Sequence, residues 1–106
     1  MNNIKIVNLT PHDINVIVDG DVTVIPRDGT VARVNQISTV VDKINKIPVS
    51  VVRFGDVVGL PDPVPGVIWI VSALVKQAVN RSDVVSPGEL VRNSDGNVIG
   101  CKGFFY

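Results

Sequence analysis

The chain has 106 residues, with ten basic and ten acidic side chains, so its formal net charge at pH 7 is zero. This length suits one domain spanning residues 1–106, and the charge balance argues against bulk attraction to a nucleic-acid polymer or an anionic membrane. A single cysteine excludes an internal disulfide, and no apolar run is long enough to cross a bilayer or to form a secretion signal, so we expect a cytoplasmic protein.

The predicted elements are mainly strands, because 23 Val and 11 Ile stand against four Leu and β-branched side chains fit a pleated surface. Residues 4–9 alternate as a first strand that ends at Thr10-Pro11. Two apolar runs, residues 14–18 and 22–25, flank Asp19-Gly20 and predict a two-residue β-hairpin.

The middle of the chain is harder to divide into elements. Residues 30–41 fit either one long bent strand or a strand followed by an irregular crossing. The polar residues 42–46 are predicted to be a loop, after which a strand runs to a tight reversal at Gly55-Asp56. Three prolines in residues 60–66 predict an extended surface connection.

Residues 67–83 are the stretch around which the other elements are expected to be arranged. Residues 67–71 form a continuous apolar run, which predicts a strand buried on both faces. Behind Ser72, a natural N-cap, the spacing of apolar residues becomes helical. Because the first helical turn carries no acidic side chain, the start of the helix is a candidate anion site.

The C-terminal part returns to strands. Residues 81–88 are predicted to be a polar loop, and residues 89–93 and 97–101 to be the strands of another hairpin. The aromatic tail from Gly103 is expected to dock on the domain or on a second subunit. The fold class is therefore α+β and mostly β: a compact antiparallel or mixed β domain with a single short helix after a central buried strand.

The only histidine, His12, lies in a polar turn with Asn8 and Thr10. Imidazole titrates near neutral pH, so His12 is a candidate ligand-facing donor or general acid–base. The alternative is a structural ring bonded to nearby backbone, which residue type alone favours. No second histidine and no cysteine pair exist to complete a zinc site, so no metal is expected.

Three arginines, Arg33, Arg53 and Arg92, sit inside otherwise apolar strands, and Arg81 follows the helix. A planar guanidinium suits phosphate or carboxylate, so two of the strand arginines on one sheet face near Ser72 would make an anion pocket. The structural alternative is a solvent-facing side chain whose stem covers apolar surface, or one that pairs with a nearby acid.

Three further residues have a functional and a structural reading. Asp83 is a candidate for binding a ribose or base donor, with a loop cap as the simpler role. Cys101 and Trp69 are expected to be core residues. The chain has no phosphate-loop, dinucleotide-binding, serine-elbow or zinc-protease motif, which lowers the case for an enzyme without removing it.

Segments along nearly the whole chain resemble a family of small proteins found in bacteriophages and in bacterial, notably actinobacterial, genomes. The most distinctive is Asn-Leu-Thr-Pro-His at residues 8–12. The others are residues 25–26, 31–34, 53–55, 59–61, 70–75, 87–88, 90–92 and 100–101. The resemblance implies a phage or prophage setting and carries no activity with it. The chain departs from the family pattern at residues 43–46 and in its longer aromatic end.

The leading hypothesis is a phage-type binding module that captures an anionic, nucleotide-derived small molecule in the host cytoplasm, for example as a sponge for a host immune signal. One alternative is a small hydrolase or phosphoesterase that uses His12, and another is a virion or assembly protein. No cofactor is expected, and a homo-oligomer is. The predicted ligand-binding residues are Asn8, Thr10, His12, Arg33, Arg53, Ser72, Arg81, Asp83 and Arg92.

Overall fold

The computed structural model describes residues 3–106, which are mostly β with one short helix, as predicted. The strands in this part of the chain are β1 (Lys5–Asn8), β2 (Ile14–Val18), β3 (Asp21–Ile25), β4 (Arg33–Ile44), β5 (Ile47–Val58), β6 (Val67–Ile70), β7 (Val84–Pro87), β8 (Leu90–Arg92), β9 (Val98–Cys101) and β10 (Phe104–Phe105). The helix, α1 (Ala73–Ala78), begins shortly after β6.

The first sheet has four strands in the order β1-β6-β7-β10. Strand β6 lies inside it and pairs in parallel with β1 on one side and with β7 on the other, while β10 pairs antiparallel with β7. Parallel strands of this kind are covered on both faces, which explains the continuous apolar sequence of β6. The predicted central strand followed by a helix is therefore confirmed.

The second sheet consists of two hairpins joined side by side, in the order β3-β2-β9-β8. The β2–β3 hairpin turns at Asp19 and Gly20, whose φ angles of 50° and 83° belong to a type I′ turn. Strands β8 and β9 form the other hairpin, and the parallel pair of Val16 with Cys101 joins the two. Both predicted hairpins are confirmed.

Strands β4 and β5 form a separate two-stranded sheet, which we call the arm. Each strand has 12 residues, and the turn is made by Asn45 and Lys46, with φ angles of 49° and 67°. Of the two readings of residues 30–41, the long strand is correct. The loop expected at residues 42–46 is wrong for residues 42–44, because the polar side chains of Asp42 and Lys43 belong to an exposed strand that ends at Ile44.

Two β-bulges bend the arm. Near the tip, Val41 is the extra residue of β4. Near the base, Gly55 and Asp56 of β5 lie opposite Asn35, and a Cβ on Gly55 would stand 3.4 Å from the Asn35 Cβ. The reversal predicted at Gly55-Asp56 is therefore wrong: the strand continues through a bulge, which uses the same turn-favouring residues as a reversal.

The pairing register divides the arm side chains between two faces. The arginine face carries Arg33, Ile37, Thr39, Asp42, Ile44, Ile47, Val49, Val51, Arg53 and Val58. The core-side face carries Val34, Gln36, Ser38, Val40, Lys43, Pro48, Ser50, Val52, Phe54 and Val57. At the base of the arm, the core-side face reaches the protein interior, where Val34 and Val57 pack against buried side chains.

The core lies on both faces of the first sheet. Trp69 and Val84 belong to one cluster of buried side chains, whereas their chain neighbours Ile70 and Val85 belong to another, as strand alternation requires. Helix α1 and the base of the arm cover the first cluster, and the second sheet covers the second. Cys101 is buried in the second cluster, so Cys101 and Trp69 are both core residues, as predicted.

Strand β7 lies where the sequence predicts a polar loop, at residues 81–88. Val84, Val85 and Ser86 are buried, and two of them pair in parallel with β6. An apolar run of two residues is too short to show a period, so the strand could be recognised only from its neighbours in the sheet.

The aromatic tail docks on the domain through its first part. Phe104 packs against the second cluster, and β10 pairs with β7. Phe105 and Tyr106 are exposed, with Tyr106 keeping 84% of its accessible surface. The prediction that the tail docks is therefore confirmed for Phe104.

The arm makes the molecule elongated. Its Cα radius of gyration is 16.8 Å and its principal extents are 56 × 40 × 22 Å. A compact chain of this length has a radius of gyration of about 13 Å. The compact part consists of the two four-stranded sheets and α1, which we call the body, and the arm projects from it.

Candidate ligand-binding site

Asn8 is buried, with 1% of its surface exposed, and its side-chain amide is fully used inside the protein. Its Oδ1 accepts hydrogen bonds from the Thr10 N–H at 2.9 Å and the Thr10 hydroxyl at 2.6 Å. Its Nδ2 donates to the carbonyls of His12 at 2.8 Å and Ile25 at 3.0 Å. An amide side chain has two donors and two acceptor sites, so none is left for a ligand.

The Thr10 hydroxyl and the His12 backbone belong to the same network. The hydroxyl lies within hydrogen-bond distance of both Asn8 Oδ1 and the His12 carbonyl, although its single proton serves one at a time. The His12 side chain is exposed, and its ring takes part in no hydrogen bond within residues 3–106. These hydrogen bonds thus fix the conformation of the turn, and the His12 imidazole is exposed to solvent.

Arg81 and Asp83 are bound to each other. The Arg81 Nε donates to Asp83 Oδ1 at 2.9 Å and its Nη2 to Oδ2 at 2.6 Å, while its Nη1 donates to the Pro61 carbonyl at 2.9 Å. The two side chains are 25% and 19% exposed. This bidentate pair ties the proline-rich connection to the loop after α1, and its groups are occupied.

The same contact shifts both pKa values. The hydrogen bond from Arg81 holds the pKa of the Asp83 carboxyl below its usual value, and the carboxyl raises the pKa of Arg81. The buried indole N–H of Trp69 also lowers the Asp83 pKa slightly, but its geometry falls short of a hydrogen bond. Both groups therefore stay charged at neutral pH and serve the fold.

Arg92 lies in the second sheet, away from the other predicted arginines. Its Nη1 donates to the Gly96 carbonyl at 2.9 Å, across the turn of the β8–β9 hairpin. The side chain therefore stabilises its own hairpin, and it does not converge with Arg33 or Arg53.

Ser72 is the N-cap of α1, as predicted: its hydroxyl accepts a hydrogen bond from the Val75 N–H at 3.3 Å, and no acid stands in the first turn. The helix has six residues, fewer than two turns, so few peptide dipoles align behind its first N–H groups. The Ser72 end is consequently a weaker anion site than a long helix would provide.

A depression of about 220 Å³ brings together Thr10, Arg33 and Ser72, three of the nine predicted ligand-binding residues. It lies between the Asn8–His12 turn, the start of β4 and the start of α1. The rest of its lining is apolar: Leu9, Pro11, Val31, Ala32, Val34, Leu74 and Val75. The depression therefore offers an apolar recess with arginine beside it.

Arg33 and Arg53 share the arginine face of the arm. Arg53 pairs with Ile37, which lies four residues along β4 from Arg33, a separation of about 13 Å. Both are exposed, and neither side chain forms an ion pair or a hydrogen bond within residues 3–106. The other three arginines are all engaged, so these two are the free guanidinium groups of the described chain.

A second cavity of about 230 Å³ lies in a part of the fold that the sequence did not single out. It is lined by Asp13, Ile14, Asn15, Pro87, Leu90, Val98, Ile99, Gly100 and Cys101. The Asp13 carboxylate accepts from the Arg27 N–H at 2.9 Å, and the Asn15 Nδ2 donates to the Ile99 carbonyl at 3.2 Å. The Asp13 and Asn15 side chains thus already have partners. Because the lining residues are far apart in the sequence, they form no local motif from which the cavity could be predicted.

No cluster of three or more histidine, cysteine or acidic side chains within residues 3–106 is arranged to hold a metal ion. No helix within these residues is long and apolar enough to cross a membrane. Comparisons with protein-family models, with curated proteins and with solved structures find no match to this chain.

Proposed function

We propose that this protein is a binding module that captures a small anionic ligand, of nucleotide type, on the arginine face of its arm. The observation that supports the proposal best is that Arg33 and Arg53 lie on one face and have no partner within residues 3–106. The other arginines have roles within the fold. Two unengaged guanidinium groups on one face match the chemistry of phosphate binding.

The surroundings of the two arginines suit a nucleotide. Ile37 and Val58, on the same face, are 56% and 61% exposed and provide an apolar surface between the charges. The recess at the base of the arm adjoins Arg33 and is smaller than a pocket for a drug-sized molecule, which suits a single ring. A nucleotide combines such a ring with phosphate, so one ligand can use both features.

Phosphate binding of this kind is strong enough to give specific capture. A hydrogen bond to a charged group contributes about 1.5–3 kcal/mol, and two arginines acting together can therefore raise affinity by several orders of magnitude. In the phage setting that the family resemblance implies, a protein that holds a nucleotide without converting it would act as a sponge for a host immune signal.

The test is a thermal-shift screen of the purified protein against cyclic dinucleotides and ADP-ribose derivatives, with mass spectrometry of any compound released on denaturation. A ligand at 100 times its dissociation constant adds about 2.7 kcal/mol, which raises the midpoint of a domain this size by about 10–20 °C. Arg53→Ala and Arg33→Ala should each reduce the affinity for the active compound at least about 10-fold.

Lys43→Ala is the matched control, because it removes one positive charge near the tip of the same arm, opposite Pro48 on the core-side face. We expect this variant to keep the full shift. An equal loss in the Lys43 variant would mean that only net charge matters, and no released compound and no shift with any compound would refute ligand capture. Recovery of a converted product would instead favour the hydrolase alternative.

A further inference from the structure

We infer that the arginine face of the arm recognises a ribose that carries a phosphate on each side, as in a nucleoside 3′,5′-bisphosphate or a 3′–5′-linked dinucleotide. Arg33 and Arg53 each bind one phosphate, and Asn35 and Asp56, which lie between them, bind the 2′-hydroxyl of the sugar. This assignment rests on the proposed capture of a nucleotide by the same face, and it names the part of the ligand that the face distinguishes.

Asn35 lies on the arginine face, between the two arginines along the arm. It is two residues from Arg33 on β4, and strand alternation puts residues two apart on the same face. Ile37, which pairs with Arg53, is two residues further along. The Asn35 side chain is exposed and takes part in no hydrogen bond within residues 3–106, so its donors and its acceptor are open to a ligand.

The bulge near the base of β5 puts Gly55 and Asp56 opposite Asn35. The pairs on either side of this bulge belong to the core-side face, so the bulge itself interrupts the arginine face. Because Gly55 has no side chain, a ligand can approach the backbone there. Asp56 is exposed, and its carboxylate forms no ion pair and no hydrogen bond within residues 3–106. Between the two positive charges there is thus a carboxylate and an amide.

This order of charges determines how phosphate is held. A phosphate shared by both guanidinium groups would lie beside the Asp56 carboxylate, which repels it. The two arginine positions are about 13 Å apart along the arm, so each guanidinium has room for a phosphate of its own. The ligand that fits therefore carries two phosphate groups with an uncharged group between them.

The group between the phosphates must donate a hydrogen bond, because a carboxylate only accepts. The 2′-hydroxyl of ribose is such a donor, and carboxylates bind this hydroxyl in dinucleotide sites. A hydroxyl also accepts, so it can donate to Asp56 and accept from the Asn35 amide at the same time. A ribose between a 3′-phosphate and a 5′-phosphate meets both requirements.

A pair of isomers tests the placement of the phosphates. Adenosine 3′,5′-bisphosphate and ADP contain the same atoms, but ADP carries both phosphates on the 5′ side of its ribose. Isothermal titration of the full chain should give an affinity for the bisphosphate at least about 10-fold higher than for ADP, because ADP cannot reach both arginines with the sugar between them. Arg53→Ala should remove this difference.

The deoxyribose analogue tests the hydroxyl contact. Wild-type protein should bind 2′-deoxyadenosine 3′,5′-bisphosphate at least about 5-fold more weakly than the ribose compound. Asp56→Ala should abolish this ribose preference, and Asn35→Ala should reduce it. Gln36→Ala and Asp42→Asn are the matched controls, since they change an amide on the core-side face and a carboxylate near the tip. All four side chains are exposed, so the variants should fold, which circular dichroism checks.

Three outcomes would overturn the inference. Equal affinity for the two isomers, lost in Arg53→Ala, would leave nucleotide capture standing without a ribose between the phosphates. A ribose preference that survives Asp56→Ala, or that falls as much in Gln36→Ala as in Asn35→Ala, would place the sugar elsewhere. Failure of the bisphosphate to bind would also end the inference, and the wider thermal-shift screen would then decide separately whether the protein captures another nucleotide.

Discussion

Asn8 and Thr10 show why residue type alone does not separate binding from structure. Both are polar residues in a turn next to the only histidine, which is the pattern of a ligand-facing loop. In the fold, Asn8 holds three segments together by bonding to Thr10, to His12 and to Ile25. Only the contacts distinguish the two roles, since the local sequence is compatible with both.

Substitution of Asn8 should therefore act on stability. Asn8→Ala leaves the Thr10 N–H and the Ile25 carbonyl without this partner, in a site where Asn8 itself is 1% exposed, while the His12 carbonyl keeps the Thr10 hydroxyl as a donor. We expect the free energy of unfolding to fall by about 2–4 kcal/mol, because each unpaired buried group costs about 1–3 kcal/mol. Urea unfolding measures this loss.

Asn97→Ala is the control for that measurement. Asn97 is exposed in the turn of the β8–β9 hairpin, and its side-chain amide takes part in no hydrogen bond within residues 3–106. Its removal should change the free energy of unfolding by less than about 0.5 kcal/mol. A similar loss in both variants would show that the Asn8 network does not stabilise the turn.

The Arg81–Asp83 pair should make part of the stability depend on pH. Arg81 lowers the pKa of Asp83 in the folded state, so the pair stabilises the fold above the unfolded carboxyl pKa of about 3.9, and the contribution is lost as the pH falls through the lower folded value. Asp83→Asn should thus reduce the free energy of unfolding at pH 6 by up to about 1 kcal/mol, since the pair is partly exposed. The difference from wild type should vanish under strongly acidic conditions.

A double-mutant cycle isolates the pair in this experiment. In an Arg81→Met background the carboxylate has lost the guanidinium that lowers its pKa, so Asp83→Asn should have little effect at either pH. Urea midpoints of the four proteins at pH 6 and pH 3 give the comparison. A pH-dependent difference that persists without Arg81 would assign the effect to another partner of Asp83.

At the scale of elements, the sequence predicts the hairpins and strands that have a distinctive short pattern of their own. The β2–β3 hairpin was predictable because Asp19-Gly20 is a strong signal for a type I′ turn, and the central strand was predictable because its apolar run is continuous. The turn of the arm, Asn45-Lys46, has the same positive φ angles without a glycine. Because this turn lacks the usual hairpin signal, its sequence resembles a loop, and the length of the arm strands could not be predicted.

The same reasoning explains what was missed at the site. Arg33 and Arg53 share a face because the strand register includes the bulge at Gly55-Asp56. A bulge adds one residue to a strand, so the faces of side chains beyond it cannot be predicted from simple alternation along the sequence. Arg81 and Arg92 have the same residue type but are bound to Asp83 and to the Gly96 carbonyl. The sequence identifies the arginines as candidate ligand-binding residues, whereas only the contacts in the fold show which of them have no partner within residues 3–106.

Gly59 fixes the junction between the arm and the body, and its substitution should be severe. Its φ is +86°, and a Cβ would stand 2.6 Å from the Val31 carbonyl oxygen. Gly59→Ala therefore combines the cost of a left-handed residue with a backbone overlap, and we expect the free energy of unfolding in urea to fall by about 2–4 kcal/mol.

Gly20→Ala is the matched control. Its φ is +83° and nothing lies within 4 Å of the added methyl, so we expect the free energy of unfolding to fall by only about 1–2 kcal/mol. Equal losses would mean that the junction relaxes around the methyl.

At the scale of the whole molecule, the body and the arm are energetically distinct. The body buries both faces of the first sheet, so it has a complete core. The arm enters that core through Val34 and Val57, and residues 36–54 contribute nothing to either cluster. The stability of the body should therefore depend little on residues 36–54.

Removal of residues 36–54 tests this division directly. Val34 and Val57 stay paired in the shortened chain, and Asn35, Gly55 and Asp56 become the short loop between them. Because the core is untouched and a long connection becomes a short one, the free energy of unfolding should change by no more than about 1 kcal/mol. X-ray scattering should give a radius of gyration near the roughly 12 Å of a compact chain of that length, against the 16.8 Å of the full molecule. A shortened chain that fails to fold would show that the arm supports the body.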